Sequence, residues 1–505
     1  MAARFVQISA ALMVMGLIIG PIAAVLWGAG SMPAPRDADW QALRFTIWQA
    51  FLSASVSVIL AIPTARALAR QNFFGRGVLI TLLGAPFILP VIVAVLGLLA
   101  VFGNSGTVNT ILGWAGLPQI SVYGIQGVVL AHVFFNLPLA TRLILQGWLS
   151  LPGERLRLAE SLGLGPWQFM GVLEWPMLRQ VLPGAFAAIF VICLSSFAVA
   201  LTLGGGPRAT TLELAIYQTL RMDFDLGRAG LLAGLQLVVA LTAGLLALGV
   251  TRAPGFGVGL DRVIQRQDAT KILVRLQDAV CLVCVTLFLM GPLSAVVLRG
   301  MGALHELGPS VWWAAGYSLS VALGSTALCI VWALALAHRG GEWLSLAGIS
   351  LSPLVLGIGL FLLLRPFVHP GDLALLVTAV LNALMALPFA VRILRPEVEA
   401  TRQDHARLSA ALGLSSWLWL RWILLPRLKR PLGFAAGLTA ALSIGDLGVI
   451  ALFADPDRAT LPLQIYRLMS SYRMEQAGAA ALVLLMLSLG VFWLFDRGGR
   501  ANVKA

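Results

Sequence analysis

Few side chains in this sequence are placed to do chemistry, and nearly all stand among apolar neighbours. Asp446 closes the stretch Ser443-Ile-Gly-Asp446, His132 and Asn136 lie one helical turn apart in an uncharged run, and Asn382 lies in another. A charge at the centre of a bilayer costs roughly 3 kcal/mol on insertion scales, so polar groups in such runs face protein or water. Two readings are open for Ser443, Asp446, His132, Asn136 and Asn382: they line a route for a polar solute, or they bridge helices by hydrogen bonds. Cys281-Leu-Val-Cys284 has the spacing of a redox pair, yet it has no polar neighbour. Cys193 and Cys329 sit in equally apolar surroundings, so all four cysteines are expected to be small packing residues. The spans carry no paired carboxylates and no Cys/His constellation, which argues against a membrane enzyme. The chain carries no Walker A loop, so nucleotide hydrolysis belongs to another chain. No cofactor or metal is expected.

The elements that must hold these residues follow from composition. Of 505 residues, 59% are apolar and 11% are charged, against about 25% charged in an ordinary soluble domain. No Asp, Glu, Lys or Arg occurs between Arg76 and Arg142, between Arg179 and Arg208, or between Arg228 and Arg252. Runs of roughly 20 uncharged residues are what a helix needs to cross a bilayer core. Twelve spans are predicted, at 8–28, 45–66, 78–102, 124–146, 181–203, 229–250, 278–298, 316–337, 343–364, 373–392, 432–453 and 476–495. With both termini inside, the inner side holds 25 of the 35 Lys and Arg, whereas the 22 acids divide evenly. That bias is the positive-inside signature. The net charge of +13 therefore reports topology in a lipid bilayer, not a nucleic-acid partner. The run between Arg4 and Arg36 is expected to be a retained span, because eleven more follow it. The predicted fold class is all-α and polytopic.

The chain also repeats itself. AHVFFNLPLATRLI (131–144) lies over LNALMALPFAVRIL (381–394), and RLAESLGLGPW (157–167) lies over RLSAALGLSSW (407–417), both displaced by 250 residues. TLELAIYQTL (211–220) matches TLPLQIYRLM (460–469) with one residue deleted between. One register held over about 90 residues implies two copies of a six-span unit. Six is even, so the copies are parallel repeats about an axis along the membrane normal. The expected division is 1–250, a cytoplasmic linker at 251–277, and 278–505. His132 and Asn382 then occupy equivalent positions, and the counterpart of Asp446 is Ser196. Tyr217 and Tyr466 also match, on the outer side, where they could touch a binding protein or pack helices.

The longest predicted cytoplasmic features are the repeated loops at about 148–180 and 396–430. Each reads as a helix, a Leu-Gly turn (Leu162-Gly163; Leu412-Gly413), an aromatic helix (Trp167; Trp417) and a proline thirteen residues beyond the glycine (Pro176; Pro426). Glycine permits a sharp turn and proline is expected to break the second helix before the chain re-enters the membrane. Two such elbows on parallel halves would present equivalent knobs to a two-fold partner.

The Leu-Gly-x(12)-Pro loop resembles the coupling loop of ABC importer permeases. Longer segments, RFTIWQAFLSASVSVILAIPTARAL (44–68), GIQGVVLAHVFFNLPLATRLILQ (124–146), LTLGGGPRATTLELAIYQTL (201–220) and LSIGDLGVIALF (442–453), resemble the thiamine and thiamine pyrophosphate permeases of the fused, two-half type. That resemblance implies a bacterial inner-membrane transport subunit. It implies three partners: a cytoplasmic ABC ATPase dimer, a periplasmic thiamine-binding protein, and thiamine or its pyrophosphate as cargo. Ferric-iron permeases share the architecture and the loop, and a secondary transporter can also be built from two six-span halves. In the resembled family the loop opens on a Glu six residues before the glycine. Here those positions hold Arg157 and Arg407, so contact with the ATPase is expected to rest on arginine.

Overall fold

A computed structural model describes residues 2–28, 33–84, 88–206, 209–250, 272–337, 352–369, 371–453 and 458–500, with no strand among them. The chain runs through α1 (Ala2–Gly28), α2 (Asp37–Arg70), α3 (Arg76–Leu82), α4 (Val91–Phe102), α5 (Thr107–Trp114) and α6 (Ile125–Leu149). Next come α7 (Gly153–Ser161), α8 (Pro166–Phe169), α9 (Trp175–Leu194), α10 (Phe197–Leu203), α11 (Leu212–Arg221) and α12 (Leu226–Val250). The remainder comprises α13 (Ile272–Gly302), α14 (Pro309–Leu336), α15 (Pro353–Leu364), α16 (Ala374–Ala411), α17 (Ser416–Trp419), α18 (Leu425–Ile444), α19 (Gly448–Phe453), α20 (Leu461–Ser470) and α21 (Met474–Arg500). Of the linker, residues 251–271, with Arg252, Arg262, Arg266 and Lys271, lie outside the described residues.

Eleven of the described helical segments are long and apolar enough to cross a membrane. The predicted ninth span is seen only as the twelve-residue α15; its first part lies outside the described residues. Leu12, Ile59, Leu245 and Leu287 point outward from their helices, as expected where lipid replaces water. Polar side chains such as Gln49, Ser53 and His132 turn inward and bond one another or backbone carbonyls. In hydrocarbon no water is available to satisfy them.

Three predicted spans are broken, two of them across only two or three residues. The fifth, expected over 181–203, stops at Leu194 and restarts at Phe197, with Ser195 and Ser196 at non-helical angles. The eleventh, expected over 432–453, stops at Ile444 and restarts at Gly448 across Gly445-Asp446-Leu447. The third is likewise split into α3 and α4. Broken helices at membrane depth are tolerated where protein or a polar cavity satisfies the freed backbone.

Packing recurs between corresponding helices. α2 packs on α6 and α9, and α14 packs on α16 and α18. The Leu212 amide donates to Thr46 Oγ1 at 2.8 Å, and the Leu461 amide donates to Ser318 Oγ at 2.8 Å. The first helix of each set crosses to the other set: α1 packs on α15, and α13 packs on α4. Each crossing joins a glycine to a helical proline, Gly359 to Pro21 and Gly97 to Pro292. Only a residue without Cβ lets the backbones approach so closely.

Candidate transport pathway and coupling elbows

The two short breaks, in the fifth and eleventh spans, collect the polar residues singled out in the sequence. Around the first, His132 on α6 bonds Ser53 Oγ of α2 through Nδ1 (3.0 Å) and Ser196 Oγ through Nε2 (2.5 Å). Both ring nitrogens are therefore engaged, and the ring is buried. One turn on, the Asn136 amide donates to Cys193 Sγ at 3.3 Å. Gln49 and Gln236, which the sequence reading did not single out, donate to the carbonyls of Cys193 (2.8 Å) and Leu194 (3.2 Å). These are carbonyls that the break deprives of helical partners.

The second break has the same plan with different residues. Asn382 takes the place of His132 and donates to Ser443 Oγ at 3.1 Å, and Ser325 of α14 takes the place of Ser53 and donates to that hydroxyl at 2.7 Å. Asp446 stands at the break itself. Its Oδ1 accepts from the Gly448 amide at 3.2 Å, and the Val449 and Ile450 amides and the Asn382 side chain face the same carboxyl. Its Oδ2 is enclosed with no partner at hydrogen-bonding distance. The break thus holds a carboxylate over the amides that begin α19, with one oxygen free to accept.

The first break recruits its carboxylate from elsewhere. Glu213, in the first turn of α11 and outside the spans, accepts from the Phe197 amide at the start of α10 and from Ser352 Oγ at 2.5 Å. It is 1% exposed, and burial pushes its carboxyl up to about 7, against the lowering effect of its two hydrogen bonds. Its position in the second copy is Pro462, so the repeat register concealed it. Tyr217 packs edge-on against Phe197 with ring centroids 5.2 Å apart, next to this cap.

At the elbows, both glycines adopt the left-handed conformation expected of a sharp turn, with φ +61° at Gly163 and +56° at Gly413. Leu162 and Leu412, one residue before, are 66% and 62% exposed, and Trp417 is 63% exposed. Arg157 and Arg407 point to solvent on the preceding helix. The Trp167 side chain lies outside the described residues.

The prolines do not break the second helix. After α8 and α17 the chain makes five-residue π-helical stretches, Met170–Glu174 and Leu420–Leu424, and then continues as α9 and α18 with Pro176 and Pro426 in their first turns. A proline ring collides with the carbonyl four residues earlier. Here those residues are Val172 and Trp422, each inside a π stretch, where the wider turn relieves the collision. The arm of each elbow after the glycine turn is thus one continuous rod entering the membrane.

The two elbows also differ. The second is a direct extension of α16, a 38-residue helix. The first is detached from α6 by Ser150-Leu151-Pro152 and restarts at Gly153. Arg402 and Gln403 fill the positions of Pro152 and Gly153 in the second copy, and both favour helix.

Residues 312–497 match the family described as "Binding-protein-dependent transport system inner membrane component". The thiamine transport system permease protein ThiP of Escherichia coli K12 is 39% identical, over 98% of this chain and 97% of that protein. The protein of the same name from Salmonella typhimurium is 40% identical over 91% of this chain and 89% of its own, and that from Haemophilus influenzae is 35% identical over 90% and 87%. With polar groups gathered at two short helix breaks and two turned elbows on a multi-pass bundle, the chain belongs to the thiamine transport system permease family of binding-protein-dependent inner-membrane components.

Proposed function

We propose that this chain is the membrane-spanning subunit of an ATP-driven importer, carrying thiamine and its phosphates inward from a periplasmic binding protein. The chain itself hydrolyses nothing; an ATPase dimer on the cytoplasmic face does so and moves the bundle through the elbows. The observation that carries the coupling is the pair of matched elbows, each turned at a left-handed glycine and each exposing leucine beside arginine. The substrate class is supported by full-length likeness to thiamine permeases, which favours it over ferric iron. Two parallel halves, 1–250 and 278–505, would place one elbow on each ATPase subunit, and the family match lies within the second of them. Uptake of labelled thiamine by membrane vesicles tests the reading. Uptake should need the co-expressed ATPase and ATP, and uptake by this chain alone on an ion gradient would instead make it a secondary transporter.

The break residues fall into two groups. His132, with both nitrogens bonded, and Asn136, bonded to Cys193, tie helices; Asn382 and Ser443 set the position of Asp446. Asp446 keeps an oxygen for a cationic thiazolium. Hydrogen bonds to charged groups contribute about 1.5–3 kcal/mol, so Asp446→Asn should lower thiamine uptake roughly 10-fold or more, with normal amounts of protein in the membrane. If Asp446 only ties α18 to α19, Asp446→Leu will lower thermal stability and uptake together, and Asp446→Asn will leave uptake unchanged.

Orientation is open to direct measurement. The elbows belong inside and the α11–α12 turn outside. Thr211 is fully buried as the cap of α11 and makes a poor reporter, whereas Met222 is exposed. In a chain whose four native cysteines are replaced, an impermeant thiol reagent on intact cells should label Met222→Cys and spare Gln168→Cys. The reverse pattern would invert the topology.

A further inference from the structure

Glu174 is a charged residue the pathway does not use. It ends the π stretch of the first elbow and is fully buried. Arg66 of α2 donates from Nε to Oε1 at 3.2 Å and sets a terminal nitrogen 2.9 Å from Oε2 as an ion pair, and the Trp148 indole of α6 donates to Oε1 at 3.3 Å. One turn beyond Arg66, Arg70 makes a buried ion pair with Asp278 at the start of α13, at 2.6 Å. The end of α2 therefore links the first elbow to the first helix of the second set. At the second elbow the counterpart of Glu174 is Leu424, buried among apolar groups, and the ion pair of Arg427 with Asp404 at 3.3 Å is exposed rather than buried.

This difference matches the difference in attachment. The second elbow rides on an unbroken helix and transmits a push along its axis. The first is interrupted at Pro152-Gly153, so a push would swing it unless something else fixes its far end. We propose that Glu174 is a positioning residue for coupling at the first elbow alone, where its buried ion pair with Arg66 replaces the helical continuity that the second elbow has. A planar guanidinium set against both carboxylate oxygens fixes orientation as well as distance, which a lone apolar side chain does not. The inference rests on the elbow reading above.

The test uses the full complex of permease, ATPase and thiamine-loaded binding protein in proteoliposomes, read as thiamine transported per ATP hydrolysed. A merely structural residue lowers the yield of complex but leaves that ratio unchanged in the complexes that form. Glu174→Gln keeps the shape and loses the charge; Arg66→Lys keeps the charge and loses the grip. Each should lower the ratio roughly fivefold, while Leu424→Ala lowers it less than twofold. The decisive arm is suppression. Giving the first elbow the second's residues, Pro152→Arg with Gly153→Gln, should return the Glu174→Gln ratio to within about twofold of wild type. Unchanged ratios in Glu174→Gln and Arg66→Lys, or no suppression, would overturn the inference. Gly163→Val serves as the reference. If it uncouples while the Glu174 variants do not, only this inference falls; if it too leaves the ratio unchanged, the elbow reading falls with it.

Discussion

Gly163→Val and Gly413→Val, separately and together, will uncouple ATP hydrolysis from ligand. Both glycines lie at φ near +60°, a region a β-branched residue enters only under strain of about 1–3 kcal/mol. Neither has any atom within 4 Å of where a Cβ would stand, so the penalty comes from the backbone and not from a clash. The chain can relieve it by leaving the left-handed region. That swings the helix before the turn, with Leu162 and Arg157 or Leu412 and Arg407, away from its aim. Loaded binding protein should therefore stimulate ATPase roughly tenfold less in the double variant, with the complex still assembled. Asparagine tolerates this conformation better than valine, so Gly163→Asn should retain most of the stimulation. Full stimulation in the double valine variant would mean that the elbows only return the chain to the membrane.

A large loss of stability is expected at Gly97 and Gly359. A Cβ on Gly97 would lie 2.5 Å from the Pro292 carbonyl oxygen, and one on Gly359 would meet the Pro21 carbonyl more closely still. The obstacle in both cases is backbone, which cannot rotate aside as a side chain can. Valine at either site must push α4 off α13 or α15 off α1, opening the crossings that join the two sets of helices. Overpacking typically costs about 1–3 kcal/mol and more where the neighbour cannot move. The double variant Gly97→Val/Gly359→Val should show a much lower melting temperature in detergent, or fail to accumulate in the membrane. Gly16 and Gly291, on the same two crossing helices, have nothing within 4 Å and should accept alanine with little change. Equal effects at all four positions would show that the crossings are not closely packed.

Much of this architecture is legible in the sequence because bilayer solvation leaves a coarse mark. Uncharged runs delimit the spans, and a constant displacement joins Gly163 to Gly413 and Pro176 to Pro426. What escapes has a physical reason in each case. The first break falls at Ser195-Ser196, in a stretch (185–203) that has no Gly or Pro, and exists because Gln49, Gln236 and Glu213 satisfy the freed backbone from distant helices. The prolines read as breakers because the π stretch that accommodates them is a matter of hydrogen-bond register, which residue types do not display. Glu174 looks like one more charge in a solvated loop until Arg66, 108 residues earlier, is brought against it. The crossings of α1 on α15 and of α13 on α4 leave no sequence trace beyond a glycine and a proline far apart in the chain.

The central claim, that these elbows are where the ATPase grips the permease, is tested most directly by placing a photo-crosslinking residue at Leu162 or Leu412. Both side chains are exposed at the turn, so substitution disturbs no packing. In the assembled complex each position should crosslink to the ATPase chain, and nucleotide should change the yield if closure of the ATPase moves the elbows as proposed. Crosslinks from either position to the periplasmic binding protein, or none to the ATPase from both, would contradict the account.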